Sequence, residues 1–268
     1  MISAVLLTAV AIAAVAGGCG DGDGDGEPPG GDNEPVVEEP IPKFAYEGAD
    51  GPSNWSRLDP EWSPCGEGLE QSPIDLSGAE EGSVASLDFA YSASSAIVAN
   101  TGHAIEVALA DAGSVTVGST TYDLEQFHFH SPSEHRIADR RFPAEMHLVH
   151  TRGERPPVVI GVLIEEGAEN PTLEAALADV PPEPAGERPL DAQIDPNELL
   201  PEGGAGDVYR YRGSLTTPPC TEGVLWTVYE RPLVLSAEQI EALTTVYPSN
   251  ARPLQPLGER RLARGSLE

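Results

Sequence analysis

From about residue 87 to residue 235, apolar positions come in short runs broken by Gly, Pro, Asn and Asp. The runs are SAIVA (95–99), HAIEVALA (103–110), SVTVG (114–118), TYDLEQFHFH (121–130), AEMHLVHT (144–151), PVVIGVLIE (157–165) and GVLWTVYE (223–230). Several alternate with a period of two, and β-branched and aromatic residues dominate them, so they predict strands. Helical signals are few. ENPTLEAALADV (169–180) carries Asn170 as an N-cap with Pro171 in the first turn. SAEQIEALTTV (236–246) carries Ser236 with Gln239 three residues later, a capping-box pattern. No internal repeat is visible, and residues 181–207, rich in Pro, Gly and acids, predict a surface excursion. The fold expected is mainly β: a single domain around a large, mostly antiparallel twisted sheet with a few short peripheral helices.

The ends of the chain read differently. Residues 1–18 are apolar and small, ending in AGG before Cys19. That predicts a secretory leader, too short to span a bilayer. The boundary is similar to a lipobox, in which Cys19 is lipidated, although Ala16 stands where Leu is usual and no Lys or Arg precedes the apolar run. Residues 19–42 follow as an acidic Gly/Pro-rich linker, with little to bury and every reason to self-repel. Its DGDGDG lacks the remainder of a calcium loop. The expected organisation is therefore leader 1–18, linker 19–42 and domain 43–268. The protein would be exported, periplasmic or at the cell surface, touching membrane only through a lipid anchor at Cys19.

Charge and cysteines narrow the picture. The formal net charge of −29 makes nucleic acid an unfavourable partner. Residues 1–39 hold eight acids and no bases, so the body remains acidic, with 36 acids against 15 bases. With Cys19 set aside, Cys65 and Cys220 form an even pair, which in an exported protein favours a disulfide over two buried thiols. Closing so long a loop is worth on the order of 4–5 kcal/mol in the chain-entropy picture.

The candidate chemistry lies in EQFHFHSPSEH (125–135), which holds three of the six histidines. Strand alternation puts Gln126, His128 and His130 on one face and Phe127 and Phe129 on the other. In AEMHLVH (144–150), Glu145, His147 and Val149 share a face, while His150 points away. If the two strands pair, His147 joins His128 and His130. Three neutral imidazoles suit zinc, with a fourth position left open. Gln126 and Glu145, each two residues before a ligand, are placed to accept from the other ring nitrogens. His135 and His150 read as hydrogen-bonded structural residues. A second pattern competes: His128-x-His130-x3-Glu134 also fits the first motif of a cupin-type metal oxygenase, with Glu134 as a ligand. Its Pro-x-Gly-x-x-His partner motif is absent from the sequence.

These stretches fall in order within a longer series: Tyr46, GPSNW (51–55), QSPIDL (71–76), NTGHAIEV (100–107), QFHFHSPSEH (126–135), AEMHLVH (144–150), VVIGVLIE (158–165), YRGSLTTPPCTEGVLW (211–226) and NARPLQPL (250–257). The series resembles the α-class carbonic anhydrases of the bacterial secreted type. The resemblance implies zinc on His128, His130 and His147, hydrating carbon dioxide reversibly to bicarbonate and a proton through hydroxide held on the metal. It implies that Thr216 donates to Glu134 and orients that hydroxide, which makes Glu134 an acceptor rather than a ligand. Thr216 and Thr217 would position substrate against an apolar wall of Val149, Val159, Leu215, Val224 and Trp226. His103 would be the proton shuttle, with Tyr46 supporting the waters that lead to it. His135 would link to Tyr211 and Ser72, and the Cys65–Cys220 bridge would anchor the Thr216 loop. Phe44, Thr101 and Glu106 depart from the usual Trp and two Asn, and so bear on shuttle efficiency. A non-catalytic binding domain of the same family is the alternative; such domains usually lack a zinc histidine, and all three are present here. A homodimer is compatible with the sequence but not indicated by it.

Overall fold

A computed structural model describes residues 43–268; the leader 1–18 and the whole linker 19–42, with Cys19, lie outside the described residues. The seven apolar runs all contribute strands, and the described residues form twelve in all: β1 (Glu80–Glu81), β2 (Leu87–Tyr91), β3 (Ala96–Asn100), β4 (Ile105–Leu109), β5 (Gly113–Val117), β6 (Thr120–His130), β7 (Ala144–Thr151), β8 (Val158–Glu166), β9 (Gly186–Pro189), β10 (Gly206–Ser214), β11 (Glu222–Leu235) and β12 (Ala263–Leu267). They build one sheet in the order β1-β12-β10-β11-β8-β7-β6-β4-β3-β9, with β5 joining β6 to β2. Pairing is antiparallel throughout except β1 with β12 and β8 with β11. The helices are short: α1 (Trp55–Leu58), α2 (Pro64–Glu67), α3 (Pro171–Ala178) and α4 (Ala237–Val246). The mainly β, single-sheet expectation matches this architecture.

The helix caps sit where the sequence puts them. Asn170 Oδ1 accepts from the N–H groups of Thr172 and Leu173, and Ser236 and Gln239 satisfy each other's N–H groups in a full capping box. One expectation fails. Residues 181–207 are not merely a surface excursion: β9 completes the sheet edge beside β3, and Ile194, Leu199 and Leu200 are buried in the main core. The polar composition of the segment conceals these few apolar anchors.

The two faces of the sheet bury different chemistry. On one, Phe127, Phe129, Met146, Leu148, Ile160 and Val162 pack in the larger core with Leu173 of α3 and Leu243 of α4. On the other, Val159, Leu163, Val224, Trp226 and Val228 pack with Ile74 and Leu76. β6 pairs with β5 through its first half and β4 through its second, and its register against β7 shifts between Leu124 and Gln126. Beyond that bulge, His128 lies directly opposite His147. A third cluster, Trp55, Trp62, Cys65 and Cys220 with Phe44 and Tyr46, packs around the Cys65–Cys220 disulfide, which spans 155 residues and ties α2 to the 215–221 loop.

His150 sits on the core side, fully buried. Its Nδ1 donates to the Val158 carbonyl at 3.2 Å, and Tyr91 donates to its Nε2 at 2.6 Å. Burial pushes its pKa down to about 4. The unfolded chain, with a histidine pKa of about 6.5, then binds more protons than the folded one between those values. Stability is complete above about pH 6.5 and is lost as pH falls towards 4, by on the order of 3 kcal/mol. Urea unfolding of native protein and His150→Gln across this range should show a shallower pH slope in the variant; equal slopes would rule the assignment out.

Candidate metal centre

Residues from the central strands converge on one face of the sheet. His128, His130 and His147 each present a ring nitrogen, and these atoms lie within 4.8 Å of one another. The remaining nitrogen of each ring is already engaged. His128 Nδ1 donates to Gln126 Oε1 at 2.8 Å, His130 Nδ1 to the Asn250 carbonyl at 2.8 Å, and His147 Nε2 to Glu145 Oε1 at 2.9 Å. By elimination the donors turned inward are Nε2 of His128, Nε2 of His130 and Nδ1 of His147. His130 Nε2 is buried and has no hydrogen-bond partner among the described residues. A buried polar atom of this kind is costly unless something satisfies it, and a metal ion does so. Burial lowers the pKa of all three rings, reinforced at His128 by His130 and His147 and opposed at His147 by Glu145. They are neutral at neutral pH, the form that ligates.

Glu145 holds the set in place. Buried completely, it accepts the His147 and His135 ring N–H groups on Oε1 and the backbone N–H groups of Glu134 and His135 on Oε2, at 2.7–2.9 Å. Burial opposes its charge, but His135, His147 and their hydrogen bonds outweigh burial and hold its pKa well below the usual carboxylate range. His135 continues the chain, with its Nε2 2.6 Å from the Tyr211 hydroxyl, which lies 2.8 Å from Ser72 Oγ. Glu145 also joins His135 and His147 in a second possible cluster. There the polar atoms already satisfy one another, so no donor is left for an ion.

Glu134 Oε1 accepts the Arg252 backbone N–H at 2.8 Å. Burial raises its pKa to about 7, against the pull of His147, that N–H and the Thr216 hydroxyl. No Thr216–Glu134 hydrogen bond is formed in this structure, and Glu134 Oε2 is buried without a partner among the described residues. Of the expected apolar wall, Val159, Val224 and Trp226 are buried, and Val149 and Leu215 are partly exposed beside them. The Trp226 ring stacks edgewise on His147 at 4.8 Å. Thr217 lies in the same loop, and its carbonyl accepts the Cys220 N–H.

His103 lies in the β3–β4 turn. Thr101 fixes that turn, accepting from the N–H groups of His103 and Ala104 and donating to the Ala104 carbonyl. The His103 ring stacks on Phe44 at 3.8 Å, and its Nε2 donates to the Phe44 carbonyl at 2.8 Å. Glu106 lies opposite His128 across β4 and β6, its pKa raised by burial and then by Glu187. The Tyr46 hydroxyl is buried without a partner among the described residues.

Three residues escaped the sequence reading as working parts. Asn250 supplies the acceptor for His130, and its side chain also binds the Ser131 N–H, the Phe129 carbonyl and the His103 carbonyl. Arg252 spans the Cys65 and Ser72 carbonyls and Gln71 while its N–H holds Glu134. Gly161 faces His147 across β7 and β8, where a Cβ would come within 3.1 Å of Glu145 Oε1. The available signal was a gap: acceptors could be named for His128 and His147 but none for His130.

Three strand-borne histidine donors, oriented by outer acceptors beside an apolar wall, define a mononuclear metal centre of the kind that binds a small substrate. The sequence profile described as "Eukaryotic-type carbonic anhydrase" matches residues 50–265, and the chain belongs to that family. A carbonic anhydrase of Neisseria gonorrhoeae is 40% identical over 219 residues, covering 81% of this chain and 86% of the relative. One from Pectobacterium atrosepticum is 36% identical over 218 residues, covering 81% and 88%. The solved α-carbonic anhydrase of Thermovibrio ammonificans, in complex with the inhibitor sulfanilamide, superposes with a TM-score of 0.80 at 41% identity, covering 84% of this chain and all of that one.

Removing the carboxylate tests the support directly. Glu145→Gln should weaken metal binding roughly 10- to 100-fold in competition with a chelator. Unchanged affinity would show that the His147 orientation does not depend on Glu145.

Proposed function

We propose that the chain is an exported zinc carbonic anhydrase that interconverts carbon dioxide and bicarbonate, a carbonate dehydratase. The observation that carries the reading is the set of three inward-facing imidazole nitrogens, each ring fixed by an acceptor on its far side. A nitrogen-only donor set suits zinc, and His128, His130 and His147 would hold it. A zinc ion on three neutral histidines lowers the pKa of a water on it to about 7 and so supplies a nucleophile at neutral pH; that magnitude is the general one for zinc enzymes, and carbonic anhydrase is its standard example.

The protein's residues do the rest. Glu134, its Oε1 held by Arg252, would stay off the metal, where a carboxylate ligand would offset the ion's charge. When ionised, Glu134 would accept from Thr216, leaving the threonine oxygen able only to accept, and so would fix the direction in which the nucleophile's hydrogen points. The Thr216 N–H and Thr217 hydroxyl would orient substrate oxygens. Val149 and Leu215, in front of buried Val159, Val224 and Trp226, give apolar carbon dioxide a dry surface and bicarbonate no partner.

His103 is the proton carrier in this reading, because an imidazole can accept a proton on one ring nitrogen and release one from the other. With Nε2–H given to the Phe44 carbonyl, the free nitrogen is Nδ1, which can take up a proton while the other is released outward. Tyr46 and Glu106 border the route between His103 and the metal. Cys19 would carry a lipid anchor on the acidic linker, placing the domain in the periplasm or at the cell surface.

The cupin-type alternative would make Glu134 a ligand, but Glu134 is not among the atoms that converge with the three imidazole nitrogens, and its Oε1 takes the Arg252 N–H. Stopped-flow hydration of carbon dioxide by metal-depleted protein should be absent and return with zinc. His103→Ala should lower turnover roughly tenfold or more in weak buffer, with added imidazole restoring it. Folded, zinc-loaded protein without hydration would overturn the proposal, and an unslowed variant would remove His103 from it.

A further inference from the structure

The chain carries 15 Lys and Arg against 44 acids, yet four arginines line one pocket of about 340 Å³ at the β10–β12 end of the sheet. They are Arg210, Arg212, Arg260 and Arg261, with Glu70 and Tyr211 in the same lining. Among the described residues no carboxylate lies within 4.0 Å of Arg210, Arg212 or Arg260, and Arg261 reaches only Glu80, at 3.9 Å. Arg260 spends its donors on the carbonyls of Leu257, Arg212 and Pro256, with its guanidinium over the Tyr211 ring at 5.5 Å. Arg210 is 9% exposed. It donates to Thr227 Oγ1 and the Ala85 carbonyl, and its Nη2 is buried with no partner among the described residues.

A buried guanidinium without a counter-ion is strongly unfavourable, and its planar fork matches an oxyanion. Elsewhere among the described residues Arg140, Arg188, Arg231 and Arg264 pair with acids, while Arg57, Arg136, Arg141, Arg152, Arg155 and Arg252 have no carboxylate within 4.0 Å, so the pocket is set apart by its four gathered cations rather than by unpaired arginines as such. The pocket is thus a place where a strongly acidic chain gathers four cations, with Glu70 as the one acid in the lining. We propose that it binds a small oxyanion of the phosphate, sulfate or bicarbonate type, with Arg210 and Arg212 as the principal cations and Arg260 and Arg261 adding charge. The net charge of −29 repels anions at a distance, so short-range hydrogen bonds must supply the affinity. Glu70 works against it.

The test is calorimetric titration of the zinc-loaded full chain with inorganic phosphate at constant ionic strength in chloride, with sulfate and bicarbonate as parallel arms to separate shape from charge. One saturable phosphate site per chain is expected. Arg212→Ala should weaken it at least tenfold; Arg212 is exposed and its side chain makes no hydrogen bond among the described residues, so the fold does not depend on it. Glu70→Gln should tighten it. His128→Asn, which removes a proposed metal ligand, should leave it unchanged. Absence of saturable phosphate binding, equal affinity in Arg212→Ala, or loss of binding in His128→Asn would each overturn the proposal.

Discussion

Everything at the metal-facing side of the sheet depends on one buried carboxylate. Glu145 has no exposed surface and takes four N–H groups, two from imidazole rings and two from the backbone of the turn after β6. A lone carboxylate in such a place would be driven to protonate. Four convergent donors reverse the balance and keep it charged. Its charge then fixes the outer proton of His147 and the position of His135, and through His135 the Tyr211 hydroxyl. Its backbone contacts hold the Glu134–His135 corner against β7. Gly161 leaves the room that this carboxylate occupies.

A second constraint comes from the far end of the chain. Asn250 and Arg252 reach back across about half the sequence to hold His130 and Glu134. Arg252 also grips the carbonyl of Cys65, so the disulfide, the Thr216 loop and Glu134 share one support. The rigid β6–β7 pair sets the ligand spacing, and the loops that complete the site are tied to it by a bond and by buried polar contacts. Catalytic groups on loops need such anchoring to keep their geometry.

Strand alternation was sufficient to select His128, His130 and His147 and to set His150 aside, because a period of two leaves no freedom about faces once two strands pair. The same rule paired Gln126 and Glu145 with their rings. What alternation cannot convey is contact between distant segments. Asn250 lies 120 residues from His130, and nothing local marks its carbonyl as an acceptor. The core role of Ile194, Leu199 and Leu200 was hidden for a different reason: composition averages over a segment, while burial acts on single side chains. The departures at Phe44 and Thr101 gained meaning only from structure, as the stacking partner of His103 and the brace of its turn.

The central claim is that zinc is held by three histidines alone, with both nearby carboxylates kept outside its reach. X-ray absorption at the zinc edge of the loaded protein tests it most directly. The expected result is one zinc per chain with three imidazole nitrogens at about 2.0–2.1 Å and one further light atom from solvent. A carboxylate from Glu134 or Glu145 in that shell, or fewer than three imidazoles, would contradict it.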